Sequence, residues 1–395
     1  MQNFNYHAPT EIVFGRGAID GNAALIKKYG GTRVLIVYGN QSAVKSGLIT
    51  KVKGLLETLQ ITALEFGGVM TNPTLEKARE GVKTAITFKA DFILAVGGGS
   101  AIDTAKAIAH GTANPAVDIW KFWKREEALS VSLPVGCILT ISAAGSETSA
   151  SAVLTNTETG EKRGLGSELN RPRFAVMDPE LTFSVPPYHM ACGIADIFMH
   201  TADRFFSSCK EPNETTDGIA IVIMRTVIKN APIIMKNPRD YNAASEIMWC
   251  GSLSHNGLTG LGRPMDFSVH QLSHELSARF DAAHGASLTA VWGSWAKYCL
   301  SADIPRFACF AKRVWDIDEK DDATTAIVGI EKTASFFRAL NLPVSIPDLI
   351  GYRLDAKILN GLAYACSFND TRLIGSMKPL GFKEIEEVYQ AANAY

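Results

Sequence analysis

Short strand-like runs that end on glycine restrict what the first half of this chain can fold into. Val34-Leu35-Ile36-Val37 runs to Gly39, Leu64-Glu65-Phe66 to Gly67-Gly68, and Phe92-Ile93-Leu94-Ala95-Val96 to Gly97-Gly98-Gly99. Helical stretches separate them, over roughly 44–59 and 74–88, and a third helix is expected from about Ser100 to His110, before the run Pro134 to Thr140. Apolar runs without alternation predict strands covered on both faces, and strand–helix–strand repetition predicts a parallel sheet. The fold expected is a Rossmann-like, doubly wound α/β domain, whose ligands bind at the carboxyl ends of the strands.

The pattern changes near residue 185. Pro186-Pro187 stops the chain after Phe174-Ala175-Val176-Met177-Asp178, and beyond it the periodicity is helical almost throughout. The reading is therefore α/β followed by all-α, with domains over 1–185 and 186–395. A chain of 395 residues is comfortable for two domains, and the cleft between them is the default place for a small-molecule site. A net charge of -1 gives no broad attraction to nucleic acid or to an anionic membrane. The longest uninterrupted apolar runs, such as Ile219 to Met224, are far below a membrane span. Seven scattered cysteines without a CxxC pair fit reduced thiols, and the first residues carry no signal-peptide pattern, so a cytoplasmic enzyme is expected.

Gly97-Gly98-Gly99-Ser100 sits between a buried-looking strand and a helix. Glycines let the backbone approach a ligand closely, and the helix N-terminus turns free N–H groups toward an anion, so a pyrophosphate fits. Ser100 and Asp103 also have the spacing of a capping box, which can start a helix with no ligand at all. Lys106, one turn on, either approaches a phosphate or pairs with Asp103 in solvent, and Asp103 is a candidate acceptor near the nicotinamide end. After the first of these runs the chain reads Tyr38-Gly39-Asn40-Gln41-Ser42, with Lys45 following and no acid. An acid there would reject a 2′-phosphate; its absence favours NADP(H) over NAD(H), with Ser42 and Lys45 as contacts.

Asp196 and His200 are four residues apart and share a helix face, as do His270 and His274, with His284-Gly285 following. Five of the eight histidines lie between 200 and 284; His255 is one of them, but nothing around it recommends it. One straight helix would hold His270 and His284 roughly 21 Å apart, too far for one metal to bridge. The helix must therefore end near Arg279 to Ala282, so that His284 folds back. Three imidazoles and a carboxylate suit Fe2+ or Zn2+, acting as a Lewis acid on a carbonyl oxygen.

Taken together, these pieces resemble the iron-containing, group III alcohol dehydrogenase family over essentially the whole chain. The matching residues are Gly97-Gly98-Gly99-Ser100 with Asp103 and Lys106, Gly145-Ser146-Glu147, Asp178-Pro179, Gly193 with Asp196 and His200, His270 with His274, and His284-Gly285. The resemblance implies a dinucleotide-binding domain followed by a helical metal domain, with Asp196, His200, His270 and His284 as ligands. It leaves His274 near nicotinamide and substrate, and places Asn72, Thr140 and Lys162 along the cofactor. The closest branch is the NADP(H)-dependent butanol dehydrogenase and aldehyde reductase type, which implies a small aldehyde or alcohol substrate and a homodimer. One departure is visible: Ala144 stands where the family commonly has a threonine.

The activity expected is hydride exchange between a nicotinamide and an aldehyde/primary alcohol pair, with His274 relaying the proton. Two other readings remain at this level. One is a polyol dehydrogenase of the glycerol dehydrogenase kind, or a dehydroquinate-synthase-like enzyme, on the same fold. The other is a metal-dependent hydrolase, or a binding protein in which the nucleotide is regulatory.

Overall fold

The computed structural model describes residues 1–39 and 42–394. The chain separates into two compact units, one of residues 7–184 and one of residues 1–6 with 185–395.

The first unit is built on a six-stranded sheet in the order β1-β8-β5-β4-β2-β3. Its strands are β1 (Glu11–Phe14), β2 (Arg33–Tyr38), β3 (Thr62–Phe66), β4 (Phe92–Gly97), β5 (Val135–Leu139) and β8 (Phe174–Met177). Every pairing is parallel. The chain enters the middle of the sheet at β2, steps outward to β3, then returns to the other side of β2 as β4. The direction of winding therefore reverses between β2 and β4, and a crevice opens beyond their carboxyl ends at such a reversal. Gly39 follows β2 and Gly97 closes β4, so the glycine-bearing turns seen in the sequence lie together at this point. Phe92 to Val96 are fully buried, as a strand covered on both faces must be.

Three local features were not in the sequence reading. The helix expected over 44–59 is two helices, Ser42–Lys45 and Leu48–Thr58, because Gly47 takes φ 76° and breaks the ladder. The edge strand β1 has only four residues, too few for periodicity to show. A separate antiparallel hairpin joins β6 (Ser151–Asn156) and β7 (Glu161–Gly166) through a turn in which Gly160 has φ 71°.

The second unit is helical. At its centre runs the helix Pro187–Phe205, which begins with proline in its first turn and is buried from Met190 to Phe205. Helices Glu214–Lys236, Tyr241–His255, Ser268–Phe280 and His284–Cys299 follow it, and all pack on it. By length and composition alone Glu214–Lys236 passes for a membrane span, although its longest uninterrupted apolar run is short; 44% of its apolar window is buried among the other helices. Its first turns carry Asp217, whose carboxylate accepts hydrogen bonds from Arg263 at 2.5 Å and Arg306 at 2.6 Å, tying it to the neighbouring segments. All seven cysteines are free thiols.

Candidate metal centre

The candidate metal residues come from three helices of the second unit. Asp196 and His200 lie on the buried Pro187–Phe205 helix, one turn apart, each 4% exposed. His270 and His274 lie on Ser268–Phe280. That helix starts where Asp266 accepts a hydrogen bond from the Ser268 N–H at 2.9 Å, and it stops where Asp281 turns left-handed at φ 48°. The chain then reverses, and His284 is the first residue of His284–Cys299. The helix therefore ends inside the window that the His270–His284 separation required.

Gly285 makes the final approach possible. A Cβ on it would lie 2.1 Å from the carbonyl oxygen of Cys192, one helical turn before Asp196. Only glycine lets the start of the His284–Cys299 helix touch the central helix's backbone there. This contact carries the His284 ring to Asp196.

Asp196, His270 and His284 each offer a ligand atom within 4.8 Å of the others. Asp196 Oδ1 is 3.7 Å from His270 Nε2 and 3.7 Å from His284 Nε2. Four ligands about 2.1 Å from a tetrahedral ion are separated by about 3.4 Å along each edge. Asp196 Oδ1 and His270 Nε2 are buried and make no hydrogen bond among the described residues, the nearby His200 Nδ1 bonding the Asp196 backbone carbonyl instead. Leaving such atoms unpaired is costly, and a cation held between them removes the cost. The residues present thus fit a divalent ion of the borderline kind.

His200 is outside that trio. Its Nδ1 lies 3.0 Å from the Asp196 backbone carbonyl oxygen and 3.0 Å from Asp196 Oδ1. Its ring centroid is 4.3 Å from that of His270. Burial pushes the Asp196 carboxyl up, but the positive charge available on His200 and His284 outweighs this and holds it well below the usual range, so it is an anion ready for a cation. Burial also lowers His200. For His270 burial acts the same way, yet the Asp203 and Asp196 carboxylates win and raise it. His274 is half-buried, its ring 5.4 Å from that of His284.

Three residues of this site escaped the sequence reading. Asp203 Oδ2 lies 2.6 Å from His270 Nδ1. Arg204 donates to the His200 carbonyl at 2.7 Å and the Ser254 carbonyl at 2.9 Å, and its Nη2 lies 3.2 Å from His255 Nδ1. Burial lowers the Arg204 guanidinium to about 9, which leaves it charged at neutral pH. His255, passed over in the sequence, stands edge-on to His200 with ring centroids 4.1 Å apart. Asp203 was detectable: it lies seven residues after Asp196, on the same helical stripe. His255 had no such signal, because the Tyr241–His255 helix meets the site only through tertiary packing.

In the first unit the glycine loop leaves no room for a side chain at Gly97 or Gly98 and little at Gly99. A Cβ on Gly97 would lie 2.7 Å from Ala101 Cβ, one on Gly98 2.1 Å from Ile141 Cγ2, and one on Gly99 3.2 Å from Ala144 Cβ. Thr140 donates its backbone N–H to the Gly97 carbonyl at 3.1 Å. The expected capping box is not formed. The helix Gly99–Ala113 starts at Gly99 with Gly98 as its cap, so Ser100 is already inside the first turn. Asp103 instead accepts from Ser146 Oγ at 2.5 Å and from the Val153 N–H at 2.9 Å. Lys106 does not pair with Asp103 in solvent. It is fully buried, and its Nζ donates to the Ser146 carbonyl and Oγ at 2.8 Å and to the Ser151 carbonyl at 2.7 Å. Burial lowers Lys106 and raises Asp103, which are 3.8 Å apart.

The other cofactor candidates lie on different elements of the first unit. Gly39 accepts from the Gly68 N–H at 3.0 Å, and Ser42 opens the short helix after β2. Asn40 and Gln41, within the turn on which the NADP(H) reading rests, lie outside the described residues. Lys162, on β7, donates to Asn72 Oδ1 at 2.9 Å, joining two residues ninety positions apart in the chain.

Comparison with known proteins bears on the family and the fold. Residues 9–179 match the family described as iron-containing alcohol dehydrogenase, and residues 190–393 match its C-terminal domain family. NADH-dependent butanol dehydrogenase A of Clostridium acetobutylicum is 38% identical over 392 residues, covering 99% of each chain. NADPH-dependent aldehyde reductase YqhD of Escherichia coli is 34% identical over 394 residues, covering 99% of this chain and all of that one. The crystal structure of NADH-dependent butanol dehydrogenase A from Thermotoga maritima superposes with a TM-score of 0.94 at 31% identity, over 99% of both chains. With both units matched and relatives similar from end to end, the chain belongs to the iron-containing alcohol dehydrogenase family.

Proposed function

We propose that this protein interconverts small aldehydes and primary alcohols, using a nicotinamide cofactor in the 1–185 domain and one divalent ion in the 186–395 domain. The observation that carries the reading is the buried, unpaired couple of Asp196 Oδ1 and His270 Nε2, with His284 Nε2 equally near Asp196. Asp196, His270 and His284 would hold the ion, and His200, beside them, would complete the set. The family and the names of its relatives support a metal and a nicotinamide cofactor.

When bound, the ion polarises the carbonyl oxygen and the reduced nicotinamide supplies the hydride to the carbonyl carbon. The protein's own work is to hold and orient. Gly97, Gly98, Gly99 and Ser100, at the N-terminus of the Gly99–Ala113 helix, receive the pyrophosphate, while Asn72, Thr140 and Lys162 border the cofactor. Asp103 serves indirectly: its bonds to Ser146 and Val153 fix the segment that packs on the glycines. His274 passes a proton to the product oxygen and recovers one from water. Overall, aldehyde, reduced cofactor and one proton give alcohol and oxidised cofactor.

Gly39 and Ser42, with no acid between them, support NADP(H) over NAD(H). Glu65, the acid on the adjacent strand, is already engaged by the Tyr38 hydroxyl at 3.0 Å and by Lys53 Nζ at 2.7 Å. Fe2+ and Zn2+ both suit the donor set. The test is oxidation of NADPH or NADH by butanal, on protein stripped with a chelator and reloaded with Fe2+ or Zn2+. Metal-dependent oxidation that favours NADPH is expected. No oxidation of either cofactor with either metal would refute the aldehyde reading, and glycerol with the oxidised cofactors would then be tried.

A further inference from the structure

Asp203 is a buried carboxylate with an unusual set of partners. It is fully buried, and both of its hydrogen bonds go to one residue, His270: Oδ2 lies 2.6 Å from Nδ1 and 3.3 Å from the backbone N–H. Its other oxygen has no hydrogen-bond partner among the described residues. The adjacent Arg204 gives its Nη donors to the carbonyls of His200 and Ser254 and to His255, so it attracts Asp203 through charge but makes no hydrogen bond to it. A buried charge held in this way is weak support for a fold. It is well suited to support a cation.

We infer that Asp203 is a positioning residue for the metal centre, fixing the tautomer and the orientation of His270; this rests on the ligand reading above. A carboxylate can only accept, so the proton between the two residues sits on His270 Nδ1. The lone pair is then on Nε2, the atom that lies 3.7 Å from Asp196 Oδ1 and has no hydrogen-bond partner among the described residues. The second hydrogen bond, to the backbone of the same residue, fixes where the ring starts as well as how it turns. A ligand imidazole whose far nitrogen donates to a carboxylate is also more basic toward its ion. Charge points the same way. Three neutral imidazoles with Asp196 alone leave a dication half neutralised inside a buried site, beside the positive Arg204. Asp203 supplies the missing negative charge.

The test is Co2+ titration of the chelator-stripped protein, read by the visible absorption of the bound ion, for the wild type, Asp203→Asn and Asp203→Ala. Circular dichroism and thermal melting of the metal-free proteins report folding. Asp203→Asn can still accept from Nδ1 but carries no charge; Asp203→Ala does neither. Folded Asp203→Ala is expected to bind Co2+ about 10- to 100-fold more weakly, with a shifted spectrum, and Asp203→Asn to fall between it and the wild type. A merely structural role would lower the melting temperature and leave the affinity of the folded protein and the Co2+ spectrum unchanged, and that result overturns the inference. If Asp203→Ala does not fold, Asp203→Asn decides by the same criterion. Wild-type protein that takes up no Co2+ would overturn the ligand reading itself, whereas wild-type uptake with unaltered variants overturns only the role of Asp203.

Discussion

The α-carbon of Gly285 faces the backbone of Cys192 so closely that a methyl group placed on it would lie 2.1 Å from the Cys192 carbonyl oxygen. Neither residue holds the metal, yet the contact decides whether His284 reaches Asp196. Backbone atoms of a buried helix cannot move aside as a side-chain end can. Gly285→Ala is therefore expected to push the His284–Cys299 helix away and open the ligand cluster. The strain of overpacking should cost about 1–3 kcal/mol. Metal analysis and thermal melting check this: the variant should melt lower and carry well under half the metal of the wild type. Full metal content would mean that the helices adjust and that the close approach is incidental.

His274 and His270 share a helix but should fail differently. His270→Ala removes a ligand, so metal and activity should be lost together. His274→Ala should keep its metal and lose turnover, by about 100-fold if the proton relay is its task. Metal content beside kcat separates the two. A His274→Ala protein that loses its metal would place His274 in the ligand set.

The parts of this molecule that were legible in the sequence are those where a local pattern is the cause of the structure. Val34 to Val37 and Phe92 to Val96 are apolar without alternation because both faces of those strands are covered, and they form β2 and β4 as expected. The end of the Ser268–Phe280 helix followed from distance alone, since no ion spans a straight helix from His270 to His284. The failures have the opposite character. The Ser100–Asp103 spacing suited a cap, but the helix begins at Gly99, and Asp103 is claimed by a hairpin about fifty residues away. Lys106 was left between a phosphate contact and a solvent pair with Asp103 because sequence cannot show that Ser146 and Ser151 close over it. His255 and Arg204 meet only when the Tyr241–His255 helix packs on the central one.

Lys106 offers a direct test of the correction. Its three acceptors and Asp103 surround a fully buried ammonium. Lys106→Met keeps much of the volume but leaves the largely buried Asp103 carboxylate, whose side chain is 14% exposed, without its cation. Breaking such a pair from one side typically costs about 3–5 kcal/mol. Urea unfolding should show a loss of that order. Binding of NADPH should weaken as well, because the segment that packs on Gly98 and Gly99 loses its tether. A lysine that merely pairs at the surface would cost less than about 1 kcal/mol.

His110 makes the stability of the first unit depend on pH. Its Nδ1 lies 2.8 Å from Ser132 Oγ and its Nε2 2.8 Å from Asn170 Oδ1. Burial lowers its pKa to about 4, against the opposing pull of the Asn170 hydrogen bond. The unfolded chain protonates near pH 6.5, so between 6.5 and 4 the unfolded state binds more protons than the folded one. Stability from this group is therefore fully present above pH 6.5 and is lost as the pH falls toward 4. The shift corresponds to about 3 kcal/mol. Other groups also titrate in acid, so the measurement is a difference: urea unfolding of wild type and His110→Gln from pH 7.5 to 4. The wild type should lose about 3 kcal/mol more than the variant across that range, with most of the divergence below pH 6.5. Parallel curves would mean that the imidazole keeps an ordinary pKa, as it would if water reached Ser132 and Asn170.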